Sequence, residues 1–292
     1  MSDALDGLVR LLDLERIEQD IFRGRSPQGD GRQRVFGGQV AGQALVAAGR
    51  TVPADRSVHS LHAYFIRPGD TSIPLIYTVD QLRDGRSFTT RRVTAVQHGQ
   101  AIFTLSASFQ VQEPGFEHSD AMPDAPSPEE VEATADRLRR LNLAPDDYAW
   151  DNPIDLRHVG PLPVEAERDS SLVTSRNVVW LKADGELPGD PLLHVCVMTY
   201  ASDMTLLDTV LLAHGISWSS DRVYGASLDH AMWFHRPFRM DRWLLFVQDS
   251  PVASGGRGLA RGEVYTQDGQ LVVSVVQEGL LRPRGRGSRN PS

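Results

Sequence analysis

Internal repetition constrains this chain more than any other feature. Gln97-His98-Gly99-Gln100 leads into the apolar Ala101-Ile102-Phe103-Thr104-Leu105, and Gln267-Asp268-Gly269-Gln270 leads into Leu271-Val272-Val273-Ser274-Val275. Upstream, Phe65-Ile66-Arg67-Pro68 recurs as Phe234-His235-Arg236-Pro237, and both repeats keep an offset of about 170 residues. That period is far too long for a solenoid and predicts two copies of one domain fused in a single chain. The polar residues do not repeat with the scaffold. Gln277 falls where the first copy has Ala107, and Ser227 where it has Val58. A repeated scaffold with unrepeated polar groups predicts one site per chain.

The bulk composition agrees with two globular units. A chain of 292 residues is long enough for two cores, and shares of 40% apolar and 23% charged residues are globular values. The net charge of −8 argues against nucleic acid as a partner. No apolar run reaches the roughly 18 residues that span a bilayer. The acidic start Met1-Ser2-Asp3-Ala4-Leu5-Asp6 lacks the pattern of a secretory signal, and a single cysteine fits a reducing compartment. The expectation is a cytoplasmic protein without membrane insertion.

Leucine and isoleucine spacing predicts a lead helix within 3–22. Gly37-Gly38-Gln39-Val40-Ala41-Gly42-Gln43-Ala44 opens a helix of small residues running to Gly49, a composition that lets a helix lie close against a sheet. Three or four strands follow, near 57–67, 74–82, 87–97 and 101–111, punctuated at Pro68-Gly69, Asp84-Gly85 and His98-Gly99. Residues 113–170 are rich in proline and acidic residues and read as a crossing linker with a short helix near 128–141. The second copy repeats the order: a strand at 176–183, a helix at 190–202 extended by 204–213, and strands near 227–236, 242–250, 256–266 and 271–281. The predicted architecture is α+β, two fused hotdog domains, each an antiparallel sheet wrapped round a central helix. The expected boundaries are 1–112, 113–170 and 171–283, with a basic, Gly-rich tail at 284–292.

Two polar residues interrupt apolar runs, and a third stands where the first copy has Val58. Asp203 closes the apolar run Leu192-Leu193-His194-Val195-Cys196-Val197-Met198, where it either caps a following helix at Met204–Ala213 or serves chemistry. Ser227 opens a strand and reads by itself as an ordinary strand-end hydroxyl. Gln277 interrupts the apolar strand Leu271-Val272-Val273-Ser274-Val275-Val276, as an outward residue or as a buried amide that needs partners. Other candidates are weaker. Cys196 lies in an apolar helix and reads as a small buried hydrophobe. His59 and His62 alternate on one strand without a third ligand, so no metal site is expected. The chain has no Gly-x-Ser-x-Gly elbow, and Gly37-Gly38 is not followed by the Gly-Lys-Ser/Thr of a phosphate loop.

The segment Asp229-His230-Ala231-Met232-Trp233-Phe234-His235-Arg236-Pro237-Phe238 resembles the characteristic stretch of the acyl-CoA thioesterase II (TesB-type) family. So do Val35-Phe36-Gly37-Gly38-Gln39, Tyr200-Ala201-Ser202-Asp203, and Tyr265-Thr266-Gln267-Asp268-Gly269 leading to Val276-Gln277-Glu278-Gly279. The resemblance runs from Leu5 to about Arg282. It implies the double hotdog, a fatty acyl-CoA substrate, no cofactor, and a homo-oligomer of such chains. It also implies a catalytic trio of Asp203, Ser227 and Gln277, with Ser227 standing where the family has Thr. In that role Asp203 is the general base, and Ser227 and Gln277 hold the attacking water. Gly37 and Gly38, at a helix start, are candidate oxyanion donors or substrate wall. Arg86, Arg91, Arg257 and Arg261, with Arg92 beside them, are candidates for the phosphates of coenzyme A, or else form exposed charged strand faces. The competing readings are a hotdog enoyl-thioester hydratase, with Asp208 and His214 as its nearest Asp/His pair, and a non-catalytic acyl-CoA-binding module.

Overall fold

Alternating apolar residues along the predicted strands close into one continuous antiparallel sheet. The computed structural model describes residues 2–27, 34–142, 152–220 and 222–284. The tail beyond 284 therefore lies outside the described residues. The first copy contains β1 (Glu15–Glu18), β2 (Ile21–Gly24), α2 (Gly37–Gly49), β3 (Arg56–Phe65), β4 (Leu75–Asp84), β5 (Phe88–Gln97) and β6 (Gln100–Val111). The second contains β7 (Ile154–His158), β8 (Arg176–Ala183), α5 (Pro191–Ser202), β9 (Val223–Ser227), β10 (Asp229–Phe234), β11 (Leu244–Ser254), β12 (Arg257–Thr266) and β13 (Leu271–Pro283). The strand order is β1-β2-β4-β5-β6-β3 followed by β10-β13-β12-β11-β8-β7, with β9 paired to β13. The second half mirrors the first, and the two meet where Leu61 of β3 faces Met232 of β10. Each half wraps one central helix, which is the double hotdog.

The lead helix is shorter than its leucine spacing predicts. Helix α1 (Asp3–Leu12) is capped by Ser2 and stops at Asp13; residues 15–24 form the β1–β2 hairpin. Its turn holds Asp20 at φ 59°, and the exposed Glu15-Arg16-Ile17-Glu18 offers no apolar stripe to continue a helix. Within 113–170 the chain forms α3 (Thr134–Arg140) and α4 (Pro163–Arg168). It also contributes β7, which pairs with β8 as the counterpart of β1 on β2.

The small residues of α2 serve a different contact from the one predicted. They bring α2 against α5 rather than only against the sheet. A Cβ on Gly38 would strike the Tyr200 carbonyl, and one on Gly42 would lie 3.2 Å from the Cys196 carbonyl. The predicted strand 227–236 is broken at Leu228, so β9 and β10 are separate. The helix predicted at 190–213 is likewise divided, into α5 and α6 (Asp208–His214), with turns between. Around this helix pair the core is dry: Ala44, Leu45, Ala47, Ala48, Cys196, Val197 and Met198 are all fully buried.

Candidate active site

Pseudo-twofold packing sets the C-terminal end of α5 against the N-terminal end of α2. Asp203 is the C-cap residue of α5, and its carboxylate accepts from the Gly38 backbone N–H in the first turn of α2. The expected cap on a helix at Met204–Ala213 does not form: α6 begins only at Asp208 with Leu207 at its N-cap, and Asp203 meets the first turn of a helix in the other copy instead. Glycine at 37 makes the approach possible, because a Cβ there would lie 2.6 Å from Asp203 Oδ2.

The other two members of the trio arrive on strands. Ser227 ends β9, where the bulge at Leu228 breaks the pairing; β3 shows the same register shift between Val58 and Ser60. Such an interruption re-aims the side chain beside it. Ser227 Oγ donates to Asp203 Oδ1 at 3.1 Å. Gln277 points inward from β13, fully buried, and its Nε2 donates to the same oxygen at 2.5 Å. Both side chains therefore hold the carboxylate itself, in addition to any hold on water. Burial raises the Asp203 pKa to about 6, against the pull of the Gln277, Ser227 and Gly38 donors.

This cluster opens into a cavity of about 340 Å³ lined by Arg34, Phe36, Gly37, Asp203, Asp208, Trp218 and Ser227, among others. Trp218 stands at the cavity 41% exposed, and its Nε1 donates to Asp208 at 2.6 Å. Burial pushes the Asp208 carboxyl up to about 7. Arg34 donates to the Tyr224 hydroxyl at 3.0 Å and lies over that ring. Sequence reasoning missed Arg34, Trp218 and Tyr224. Their only local signal was residue type, and the meeting of Arg34 with Tyr224 spans 190 residues of chain.

The arginine candidates do not line this cavity. Arg91 is 1% exposed, donating to Thr51 and to Asp84, which puts it out of reach of a coenzyme phosphate. Arg257 and Arg261 are exposed on β12, ion-paired with Glu278 and Asp249, and Arg92 pairs likewise with Asp80. Arg86 is exposed in the turn between β4 and β5. Strand alternation puts Arg261 and Glu278 on the face opposite the inward Ala260 and Gln277. Cys196 is fully buried with its pKa raised by desolvation, so it offers no thiolate. His59 is hydrogen-bonded to Ser108, and His62 packs edge-on against Trp233. Asp208 is engaged by Trp218, while His214 is exposed at the far end of α6, so they form no hydratase pair.

Comparison with known proteins reaches the same scaffold. Residues 163–280 match the acyl-CoA thioesterase family model, and residues 25–110 match the model of the acyl-CoA thioesterase N-terminal domain. The chain belongs to the acyl-CoA thioesterase family. Acyl-CoA thioesterase 2 of Haemophilus influenzae is 40% identical, over 97% of this chain and 99% of that protein. Acyl-coenzyme A thioesterase 8 of Rattus norvegicus is 41% identical, over 97% and 91%. Among solved structures, an acyl-CoA thioesterase II from Mycobacterium marinum superposes with a TM-score of 0.78 at 43% identity, covering 96% of this chain and 99% of that one. These members of the acyl-CoA thioesterase family are thioester hydrolases, and the present chain shares their architecture along almost its whole length.

Proposed function

We propose that this chain hydrolyses fatty acyl-CoA to the free acid and coenzyme A, with Asp203 as general base. The observation that carries the reading is a half-buried carboxylate at a cavity, held by Ser227, Gln277 and the Gly38 amide. Asp203 takes a proton from water as the water oxygen bonds to the thioester carbonyl carbon. The carbonyl π electrons move to oxygen, and the candidate donors to that oxyanion are the amides of the first turn of α2 other than that of Gly38, which Asp203 engages. Collapse expels the coenzyme thiolate, which recovers the proton held by Asp203. No covalent acyl-enzyme is needed.

On this reading Arg34 and Trp218 meet the coenzyme at the cavity, in place of the arginines on β12. Among the described residues no helix is long and apolar enough to cross a membrane. The chain acts in the cytoplasm as a homo-oligomer, for which exposed apolar residues such as Tyr64 and Leu82 provide contact surface. The test is thiol release across a panel of acyl-CoA chain lengths by wild type and Asp203→Ala. Wild type is expected to turn over, and the variant to lose orders of magnitude in kcat with little change in KM. Near wild-type rates in Asp203→Ala would remove the base from the scheme.

A further inference from the structure

One buried titratable group lies directly behind the trio and has no part in the scheme above. His230 on β10 is 1% exposed. The antiparallel register pairs Ala231 with Val276, so the next position sets His230 across from Gln277. Side chains at directly opposed positions lie within roughly 5 Å at Cβ. His230 Nε2 is 2.8 Å from Ser202 Oγ, at the last residue of α5 before Asp203. On its other side, His230 Nδ1 and Gln277 Oε1 are both buried and neither has a hydrogen-bond partner. The ring and the amide nevertheless interact.

The amide of Gln277 has two orientations of equal volume, and only one helps the base. With Nε2 toward Asp203 it donates to a carboxylate; turned over, it would aim a carbonyl oxygen at that charge. The orientation is decided by what the far side of the amide meets. We propose that His230 is a positioning residue, neutral and protonated at Nδ1, whose N–H faces Gln277 Oε1 and so keeps Gln277 Nε2 directed at Asp203. The Ser202 hydroxyl completes the chain by donating to Nε2, which fixes the tautomer. The alternative polarity has Ser202 donating to Thr199 O, 3.0 Å away, and would leave a lone pair at Nδ1 facing Oε1. Two acceptors would then oppose each other in a buried site. Burial keeps the ring neutral, with its pKa pushed down to about 4, so the tautomer rather than the charge is what matters.

The inference rests on the reading of Asp203 as base, and its experiment separates the two. Asn places an N–H near the position of Nδ1, and Gln places its amide nearer Nε2. His230→Gln is therefore expected to lower kcat roughly tenfold or more with KM nearly unchanged, while His230→Asn recovers most of that loss. The acidic limb of kcat/KM in His230→Gln moves to higher pH, because Asp203 loses the Gln277 donor that holds its pKa down. The other acidic groups nearby, Asp208 at the cavity and Asp229 beside His230 on β10, are unchanged in both variants, as is Arg34. In a Gln277→Ala background, His230→Gln adds less than about twofold, since its effect passes through the amide. Imidazole 15N spectra of the wild-type protein, with the His230 signals identified by their absence in His230→Asn, read the tautomer without any activity. Protonation at Nδ1 is the expected result. Protonation at Nε2, equal losses in the Asn and Gln variants, or the full loss persisting without Gln277 would each overturn the proposal. If Asp203→Ala kept wild-type turnover, the base assignment would fall, and the tautomer would still decide the His230–Gln277 contact.

Discussion

Asp203 stands between opposed influences. Desolvation raises its pKa, while the Gln277, Ser227 and Gly38 donors lower it. The balance near 6 leaves a carboxylate that is ionised at neutral pH and basic enough to take a proton from water. For the free enzyme, kcat/KM is expected to rise about tenfold per pH unit below roughly 6 and level off above it, read from thiol release across pH. The same shift couples to stability. The folded chain holds this proton more tightly than the unfolded chain, where the value is near 3.8, so stability falls as pH rises from about 4 to about 6 and then stays level. Asp208, raised to about 7, adds a similar window that extends higher. Denaturant melts across pH in an Asp208→Asn background should show the remaining dependence shrink when Asp203 is also changed to Asn. Ser227 tests the positioning of the base. Ser227→Ala is expected to cost roughly tenfold in kcat, and Ser227→Thr to match wild type or exceed it, because a β-branched hydroxyl has fewer rotamers to lose. Similar kinetics for the Ala and Thr variants would make the hydroxyl a bystander.

At the scale of elements, the site depends on how closely two helices approach. Gly38 and Gly42 present bare backbone to α5, so the chain brings the amide end of one helix to the carboxylate at the end of the other. Gly38→Ala would force its Cβ onto the Tyr200 carbonyl, a backbone atom that cannot swing away. It is expected to destabilise the fold by about 1–3 kcal/mol and to lower kcat by separating Gly38 from Asp203. Gly42→Ala, at a longer 3.2 Å, should be milder in a thermal melt. The glycine run was visible in the sequence, but its target was not. Small residues announce a close neighbour without saying whether it is sheet or helix. The lead helix shows the converse limit, since apolar spacing matched a helix through Ile21, yet the exposed Glu15-Arg16-Ile17-Glu18 lies in a hairpin. Likewise the unbroken strand predicted at 227–236 concealed the bulge at Leu228 that aims Ser227, because a bulge depends on the register of the partner strand.

At the scale of the whole molecule, fusion has let the two copies diverge at equivalent places. In copy two, Gln277 sits across from Ala260; in copy one, Ala107 sits across from Arg91. The large and small residues are exchanged, and the Arg91 guanidinium occupies its own site through Thr51 and Asp84. Val58 replaces Ser227, and the helix end that carries Asp203 in copy two carries Arg50 in copy one. One productive site per chain is therefore expected, measured as about one equivalent of a non-hydrolysable acyl-CoA analogue in calorimetric titration. Arg91→Met should lower the melting temperature while leaving kcat intact, because Arg91 packs against Thr51 and Asp84, away from the cavity that holds Asp203. A second equivalent site surviving Gln277→Ala would contradict this asymmetry.

The sequence by itself determined the fusion of two hotdog copies, the succession of central helix and strands in each, and the polar residues that distinguish the second copy, because periodicity and repeats are properties of the chain alone. Asp203 and Gln277 were legible as polar residues within apolar runs, Ser227 only as the counterpart of Val58 in the first copy, and the family resemblance joined them. Tertiary structure alone decided which donors meet the Asp203 carboxylate, that Arg91 is buried rather than offered to a ligand, and that Arg34 and Trp218 share a cavity. The physical reason is that hydrogen bonds and burial are fixed by atoms brought within a few ångströms across long stretches of chain, and local pattern carries no record of that distance.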